Sequence, residues 1–253
     1  MWIDTHCHPF SDSLRAEEGE AFARAREAGV SQFIVVGYDP AANLDVLRLV
    51  DREPDVWGAV GIHPCEADVM SDEALALLRV QAAHPRIVAL GEMGLDYYHK
   101  DTTPEVQEVA FRRQIQLANE LDLPCIVHSR DAAEDTLRIL LEEKAKRAIF
   151  HCYSYDADFG RKVWEAGYFT SFSGVVTYPS AKPIQEAARV APADLILTET
   201  DCPWLAPQSV RGKRNEMAYV KEIGEKLAEL RGVSPEALAQ QVMKNAEKMF
   251  STR

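Results

Sequence analysis

Two histidines stand two residues apart near the start of the chain, in the stretch Asp4-Thr5-His6-Cys7-His8. Its apolar surroundings indicate a β-strand, in which residues i and i+2 point to the same face. His6 and His8 then project together, about 7 Å apart along the strand. Two imidazoles on one face can bind one metal ion, or they can be two buried polar neighbours. The remaining polar residues decide between these interpretations.

Other acidic and histidine residues follow apolar stretches in the same way. They are His63, Glu92, His128, His151, Glu199 and Asp201. A single histidine at a strand end is more often a hydrogen-bonded structural residue than a ligand. A convergent set of imidazoles and carboxylates, however, would be costly to bury with nothing to bind. These groups are the ligands of Zn²⁺, Mn²⁺ or Mg²⁺ in metal-assisted hydrolysis, so we predict a metal site.

Eight short apolar segments must position these side chains. They are residues 2–8, 32–38, 56–63, 87–96, 123–129, 147–154, 168–174 and 195–203, and helical stretches separate them. Alternating strands and helices imply parallel pairing, and eight units in this length fit an α/β (β/α)8 TIM barrel with its site at the C-terminal ends of the strands. We expect one domain over residues 1–253. The first strand lacks a following GxGxxG, which disfavours a dinucleotide-binding sheet.

Composition narrows the class of protein. The chain has 253 residues, of which 47% are hydrophobic, and its net charge is −12. A charge of this sign argues against a nucleic-acid coat protein, although a metal site can still attract phosphate locally. The five cysteines show no repeated CxxC spacing, which disfavours a disulfide framework or a zinc ribbon. We expect a soluble, cytoplasmic protein, because neither a membrane span nor a signal peptide is evident.

The number of candidate ligands predicts two metal ions, since one catalytic ion must keep an open position. A carboxylate can bridge two ions, and Glu92 lies in the fourth strand, between the two clusters. We therefore place one ion on His6, His8, Glu92 and Asp201, and the other on Glu92, His128 and His151. Two ions about 3.5–4 Å apart can hold both the attacking and the leaving oxygen of a displacement. The sequence leaves Mg²⁺, Mn²⁺ and Zn²⁺ open.

Ordered motifs over essentially the whole chain resemble the TatD family of metal-dependent deoxyribonucleases, in the amidohydrolase superfamily. They are Asp4-Thr5-His6-Cys7-His8, Gly61-Ile62-His63-Pro64, Gly91-Glu92-Met93-Gly94-Leu95-Asp96, Val127-His128-Ser129-Arg130, Phe150-His151-Cys152-Tyr153-Ser154 and Glu199-Thr200-Asp201-Cys202-Pro203-Trp204-Leu205. The resemblance implies a TIM barrel, two divalent cations at the same ligands, and hydrolysis of DNA phosphodiester bonds, often from 3′ to 5′. Pro9-Phe10 and Met217 depart from the usual family pattern, which affects loop details only.

The expected mechanism has a water, activated by the two ions, attacking phosphorus. Asp201 is the candidate for accepting the proton of this water while it holds the first ion, and Glu92, as the bridging ligand, is a second candidate catalytic residue. His63 is a candidate for bonding the scissile phosphate, and a strand-end histidine held by the backbone is the alternative. Glu199 either binds a further cation, orients a ligand, or is a polar barrel residue.

Cationic and aromatic residues supply candidate substrate contacts. Arg130 can pair with a phosphate, and Arg211 and Lys213, with Arg214, form a basic stretch that can follow a nucleic-acid backbone. Trp204, Tyr97 and Tyr98 are placed where a base can stack. Each of these can equally be an ordinary surface or packing residue. We expect weak, salt-sensitive binding of single-stranded or damaged DNA, and neither a membrane nor a tight protein partner.

Other functions remain open at this point. One is a small-molecule amidohydrolase, a group that often bridges its metals with a carboxylated lysine on the fourth strand. Residues 87–96 contain Glu92 and no lysine, which favours the phosphodiesterase. Hydrolysis of the ester bond of a charged tRNA would use the same ions. A metal-binding protein without catalysis is the third alternative.

Overall fold

The computed structural model describes residues 1–250, in which strands and helices alternate. Its strands are β1 (Trp2–Cys7), β2 (Val30–Val36), β3 (Val56–Val60), β4 (Ile87–Asp96), β5 (Cys125–Arg130), β6 (Ala148–Phe150), β7 (Phe169–Phe172) and β8 (Ile196–Thr198). Its helices are α1 (Asp12–Arg15), α2 (Glu18–Glu27), α3 (Pro40–Arg52), α4 (Asp72–Ala82), α5 (Pro104–Leu121), α6 (Ala133–Glu142), α7 (Ala157–Glu165), α8 (Lys182–Val190), α9 (Val220–Arg231) and α10 (Pro235–Phe250).

Six of the eight strands end before the residue that the sequence predicts, whereas β4 ends as predicted and β5 ends one residue later. His63, His151 and Asp201 follow β3, β6 and β8 rather than lying within them. Asp201 and Cys152 have positive φ angles of 56° and 44°, outside the β region, so the regular ladder cannot continue through them. Single backbone bonds still fix these segments, since the His151 N–H donates to the Val127 carbonyl at 3.1 Å and that of Asp201 to His6 at 2.9 Å.

The described residues group into two compact units, the first made of Met1–Val35 and Cys152–Lys248. It contains β7, β8, β1 and most of β2, with parallel pairing between β7 and β8 and between β1 and β2. Helix α9 packs closely on β1, because Gly224 leaves room for the Trp2 ring where a Cβ would clash. This packing holds the strand that contains His6 and directly precedes His8.

The second unit comprises Val36–His151 and residues 249–250. Here β3, β4, β5 and β6 pair in parallel in that order. Buried amides bond to the backbone at strand ends: Asn43 to Gly61, Gln114 to Ile62, and Gln107 to Asp96. Each amide donates to a carbonyl and accepts from an N–H, so it replaces the bonds that a continuing strand would make. The C-terminal ends of β3 and β4 are fixed in this way.

The strand order follows the sequence from β1 to β8. Parallel strands in this order, each followed by a helix, confirm the predicted (β/α)8 fold class. The single-domain assignment stays a prediction. Among residues 1–250, none of the helices combines the length and the hydropathy that crossing a bilayer would require.

Candidate functional site

Three donor atoms converge in the first unit, where β1 and β8 end. The Nε2 atoms of His6 and His8 lie 2.9 Å apart, and Asp201 Oδ1 lies 3.7 Å and 3.4 Å from them. Both histidines are buried, and 13% of the Asp201 side chain is exposed. The structure therefore places His6 and His8 side by side with Asp201 next to them, and their role as metal ligands stays a prediction.

Buried polar residues hold this first cluster in place. Asp4 accepts hydrogen bonds from the Thr200 backbone at 2.9 Å, the Thr200 hydroxyl at 2.6 Å and the His6 backbone at 3.3 Å. Asn215 donates through its amide to the carbonyls of Thr200, at 2.8 Å, and Trp204, at 2.6 Å. Asp201 is thus fixed from both sides, because the segments that precede and follow it are each bonded to a buried side chain.

A second cluster surrounds Glu92 in the second unit. The Oε1 atom of Glu92 lies 2.8 Å from His151 Nε2, 2.9 Å from His128 Nδ1 and 3.5 Å from His63 Nε2. His128 and His151 also approach each other, with 3.4 Å between Nδ1 and Nε2. Glu92 lies in β4 and His128 in β5, so parallel pairing of these two strands brings them together.

Asp96, which the sequence reasoning did not single out, orients His128. Its Oδ2 lies 3.0 Å from His128 Nε2 and 2.9 Å from His99 Nδ1, while Oδ1 accepts from the backbone N–H groups of Tyr98 and His99. A carboxylate bonded to one nitrogen of a ligating histidine fixes its tautomer. The signal was present in the sequence, since Asp96 is four residues after Glu92 and shares its face of β4.

The tautomer of His63 follows from the backbone. Its Nδ1 accepts the Cys65 N–H at 3.1 Å, so in the neutral ring the proton is on Nε2. Burial, reinforced by His128, lowers the pKa of His63 to about 3, and the ring is therefore neutral at pH 7. His63 presents a hydrogen-bond donor and not a lone pair, which separates it from the metal ligands.

The ionised Glu92 carboxylate gives the second cluster a negative charge that favours binding of a cation. Burial raises the pKa of Glu92, but His151, His63 and His128 outweigh it and hold that pKa well below its usual range. His128 Nε2 donates to Asp96, so in the neutral ring Nδ1 carries a lone pair. This Nδ1 lies 2.9 Å from Glu92 Oε1, so two acceptor atoms face each other. Such a pair requires a proton or a cation between its atoms. The residues present therefore fit a divalent metal ion.

Comparison with known proteins agrees with this chemistry. The family model "TatD related DNase" matches residues 3–251. The chain belongs to the TatD family. It is 38% identical over 252 residues to a protein of Bacillus subtilis named "Uncharacterized metal-dependent hydrolase YabD", covering 99% of each chain.

Two further relatives of this TatD-family chain carry names or structures that bear on function. A "3'-5' ssDNA/RNA exonuclease TatD" of Erwinia tasmaniensis is 34% identical over 249 residues, covering 95% of this chain and 96% of that one. The crystal structure of YJJV, a TatD homologue from Escherichia coli, superposes with a TM-score of 0.94 at 28% identity, covering 100% and 98% of the two chains. The protein is thus a metal-dependent hydrolase with the fold of its family.

The three cationic residues predicted to contact substrate in this TatD-family chain all lie at the protein surface, and two of them stack on tyrosine rings. The Arg130 guanidinium lies 3.9 Å from the Tyr98 ring, and that of Arg211 lies 4.4 Å from the Tyr178 ring. Both stacks leave the cations at the protein surface, and Lys213 is also exposed. Their role as phosphate contacts stays a prediction.

Two other polar residues already have protein partners. Arg214 pairs with Glu17 at 2.9 Å and Glu216 at 3.0 Å, so it anchors the loop after β8, and its place in a nucleic-acid track stays a prediction. Glu199 is fully buried and its Oε1 accepts the Cys152 N–H at 2.6 Å. This bond fixes the backbone at Cys152, and the alternatives for the role of Glu199 stay predictions.

Proposed function

We propose that this enzyme hydrolyses phosphodiester bonds of DNA with two divalent cations, releasing nucleotides from the 3′ end of single-stranded or damaged strands. The observation that carries the proposal is the Glu92 cluster: a carboxylate approached by His151, His128 and His63, where a lysine would indicate a cyclic amidase. The name of the Erwinia relative supports the same reaction class.

Each of the two clusters would hold one cation. His6, His8 and Asp201 offer two imidazole nitrogens and a carboxylate oxygen to one ion. Glu92, His128 and His151 offer the same kinds of atom to the other. A bridging role for Glu92 remains a prediction. When bound, two such cations lower the pKa of a water and neutralise negative charge on a phosphate.

Asp201 is the proposed proton acceptor. Its carboxylate is the most exposed member of the first cluster, with 13% of the side chain reachable by solvent. A general base must reach the proton that it removes, and the fully buried Asp4 cannot do so. Burial also raises the pKa of Asp4 well above its usual value. Asp4 therefore positions the segment, and Asp201 carries the proton.

His63 is proposed to donate a hydrogen bond to the phosphate that is being cleaved. Its Nε2–H is directed toward the Glu92 cluster, and 18% of its side chain is exposed. A neutral donor adds no charge to the site. It favours the transition state because negative charge increases there on the phosphate oxygens. Further contacts to the nucleic-acid backbone are proposed for Arg130, Arg211 and Lys213, and such contacts make binding salt-sensitive. Binding is expected to be weak because the net charge of the protein is −12.

The proposal is tested by nucleotide release from a 5′-labelled single-stranded oligonucleotide with Mg²⁺ or Mn²⁺. We expect a ladder shortening from the 3′ end, stopped by EDTA and by Glu92→Gln. Glu165→Gln, at the exposed end of α7, is the matched control and should behave as wild type. If protein loaded with metal leaves the oligonucleotide intact but cleaves aminoacyl-tRNA or a cyclic amide, the nuclease proposal is wrong.

A further inference from the structure

An exposed aromatic residue lies directly beside the first cluster. Trp204 is 48% exposed, and its ring centroid is 5.2 Å from that of His8. The contact with His8 is edge-on, and the exposed part of the indole forgoes the apolar burial that usually stabilises a tryptophan. About half of the indole surface is therefore accessible to a ligand that approaches His8.

The backbone around Trp204 is held rigidly. Its N–H donates to the Asp201 carbonyl at 3.0 Å, and its own carbonyl accepts from the Asn215 amide at 2.6 Å. The next residue, Leu205, has a φ of 53°, a conformation that a leucine adopts only when its surroundings impose it. A ligand that stacks on this indole therefore meets a preorganised surface and has little ordering to impose.

A cation accompanies the indole on the same loop. The Tyr178 hydroxyl donates to the carbonyl of Ala206 at 2.8 Å, two residues after Trp204, and the Arg211 guanidinium stacks on the Tyr178 ring. Aromatic rings that receive bases, combined with cations that receive phosphates, are the components of single-strand binding. Trp204 and Arg211 supply one of each.

The other exposed aromatic at a strand end is less suited to a base. Tyr98 is 57% exposed, but the Arg130 guanidinium lies 3.9 Å from the centre of its ring and covers one face. Its backbone N–H is also bonded to Asp96, which belongs to the second cluster. Tyr98 serves as a support for Arg130.

We propose that Trp204 forms a nucleobase subsite: it stacks on the base of the terminal nucleotide, while Arg211 contacts a neighbouring phosphate. The subsite rests on the proposed function, since it assumes a nucleotide substrate at the first cluster. Stacking is tolerant of sequence because every base has a π-face, so the subsite would require a base without selecting which one.

The test compares binding of two probes to the Mn²⁺-loaded full chain by calorimetry. Deoxyadenosine 5′-monophosphate carries a base, and 2-deoxyribose 5-phosphate does not. We expect wild type to prefer the nucleotide by about 10-fold. Trp204→Ala should bind both probes equally, and Trp204→Phe should keep part of the preference. Unchanged affinity of Trp204→Ala for the sugar phosphate shows that the variant is folded.

A control variant and a tryptophan-fluorescence measurement complete the test. Trp57→Phe, whose ring stacks with Arg86 and touches neither cluster, should keep the wild-type preference. Nucleotide binding should quench the fluorescence of wild type but not of Trp204→Phe. An equal preference in wild type and Trp204→Ala, or its loss in Trp57→Phe, overturns the inference even if DNA is cleaved. A Trp204-dependent preference without DNA cleavage retains the subsite and rejects the nuclease proposal.

Discussion

Substitution of Asp96 by asparagine should weaken metal binding without touching a proposed ligand. Asp96 Oδ2 accepts from His128 Nε2, and Oδ1 accepts from the backbone N–H groups of Tyr98 and His99. An asparagine can keep the backbone bonds with its oxygen, but its NH₂ group then faces the Nε2–H of His128. Two donors cannot bond each other, so His128 shifts its proton to Nδ1, the atom that faces Glu92.

The magnitude follows from the atoms involved. A protonated Nδ1 has no lone pair for a cation, and loss of such an orienting partner typically costs 10–100-fold in metal affinity. That range corresponds to about 1.4–2.7 kcal/mol. His99→Ala removes the other hydrogen bond to Oδ2 and leaves His128 bonded, so it should change the affinity by less than about 3-fold.

The assay is Mn²⁺ titration of metal-free protein, followed by electron paramagnetic resonance and by calorimetry. We expect Asp96→Asn to weaken one class of site and to recover part of its activity at high Mn²⁺. Nitrogen chemical shifts of His128 report its tautomer independently. If Asp96→Asn binds Mn²⁺ as tightly as wild type while His128 keeps its proton on Nε2, the reasoning about this residue is refuted.

Three further outcomes are expected. Asp201→Asn should lower kcat by about 10²–10⁴-fold with an unchanged circular dichroism spectrum, and a loss smaller than 10-fold would exclude Asp201 as the base. His63→Ala should lower kcat by about 10²–10³-fold while the metal content stays at the wild-type level; loss of an ion would instead make His63 a ligand. Burial raises the pKa of Asp96, but bonds to His128 and His99 outweigh it and hold that pKa below the usual value of 3.8. The ionised Asp96 therefore contributes to the free energy of unfolding above pH 3.8, and this contribution disappears as the pH falls through the pKa of Asp96 in the folded state. Urea denaturation of metal-free protein should show the stability deficit of Asp96→Asn shrinking as the pH falls below about 4, whereas a deficit independent of pH would contradict the assignment.

The fold class and most donor residues could be predicted from the sequence, because both depend on short-range patterns. Alternating apolar and helical segments give the strand order, and polar residues that end apolar runs must meet at one end of parallel strands. His6, His8 and Asp201 are brought together as expected, as are Glu92, His128 and His151.

What the sequence did not disclose depends on hydrogen bonds between distant residues. Asp96 looks like a strand-end acid until its bond to His128 is seen, and Arg214 looks like a free cation until its ion pairs with Glu17 and Glu216 are seen. The positive φ of Asp201 could likewise not be assigned from the sequence, since aspartate tolerates that conformation but adopts it at only a few positions.

The central claim, that two cations held by the two clusters hydrolyse DNA, is tested most directly by one titration. The rate of nucleotide release from single-stranded DNA is measured against the number of Mn²⁺ ions bound per chain. We predict little cleavage with one ion and a rise to full rate as the second binds, with His8→Ala and His151→Ala each holding a single ion and remaining inactive. Full activity with one ion, or intact DNA with two, would contradict the account.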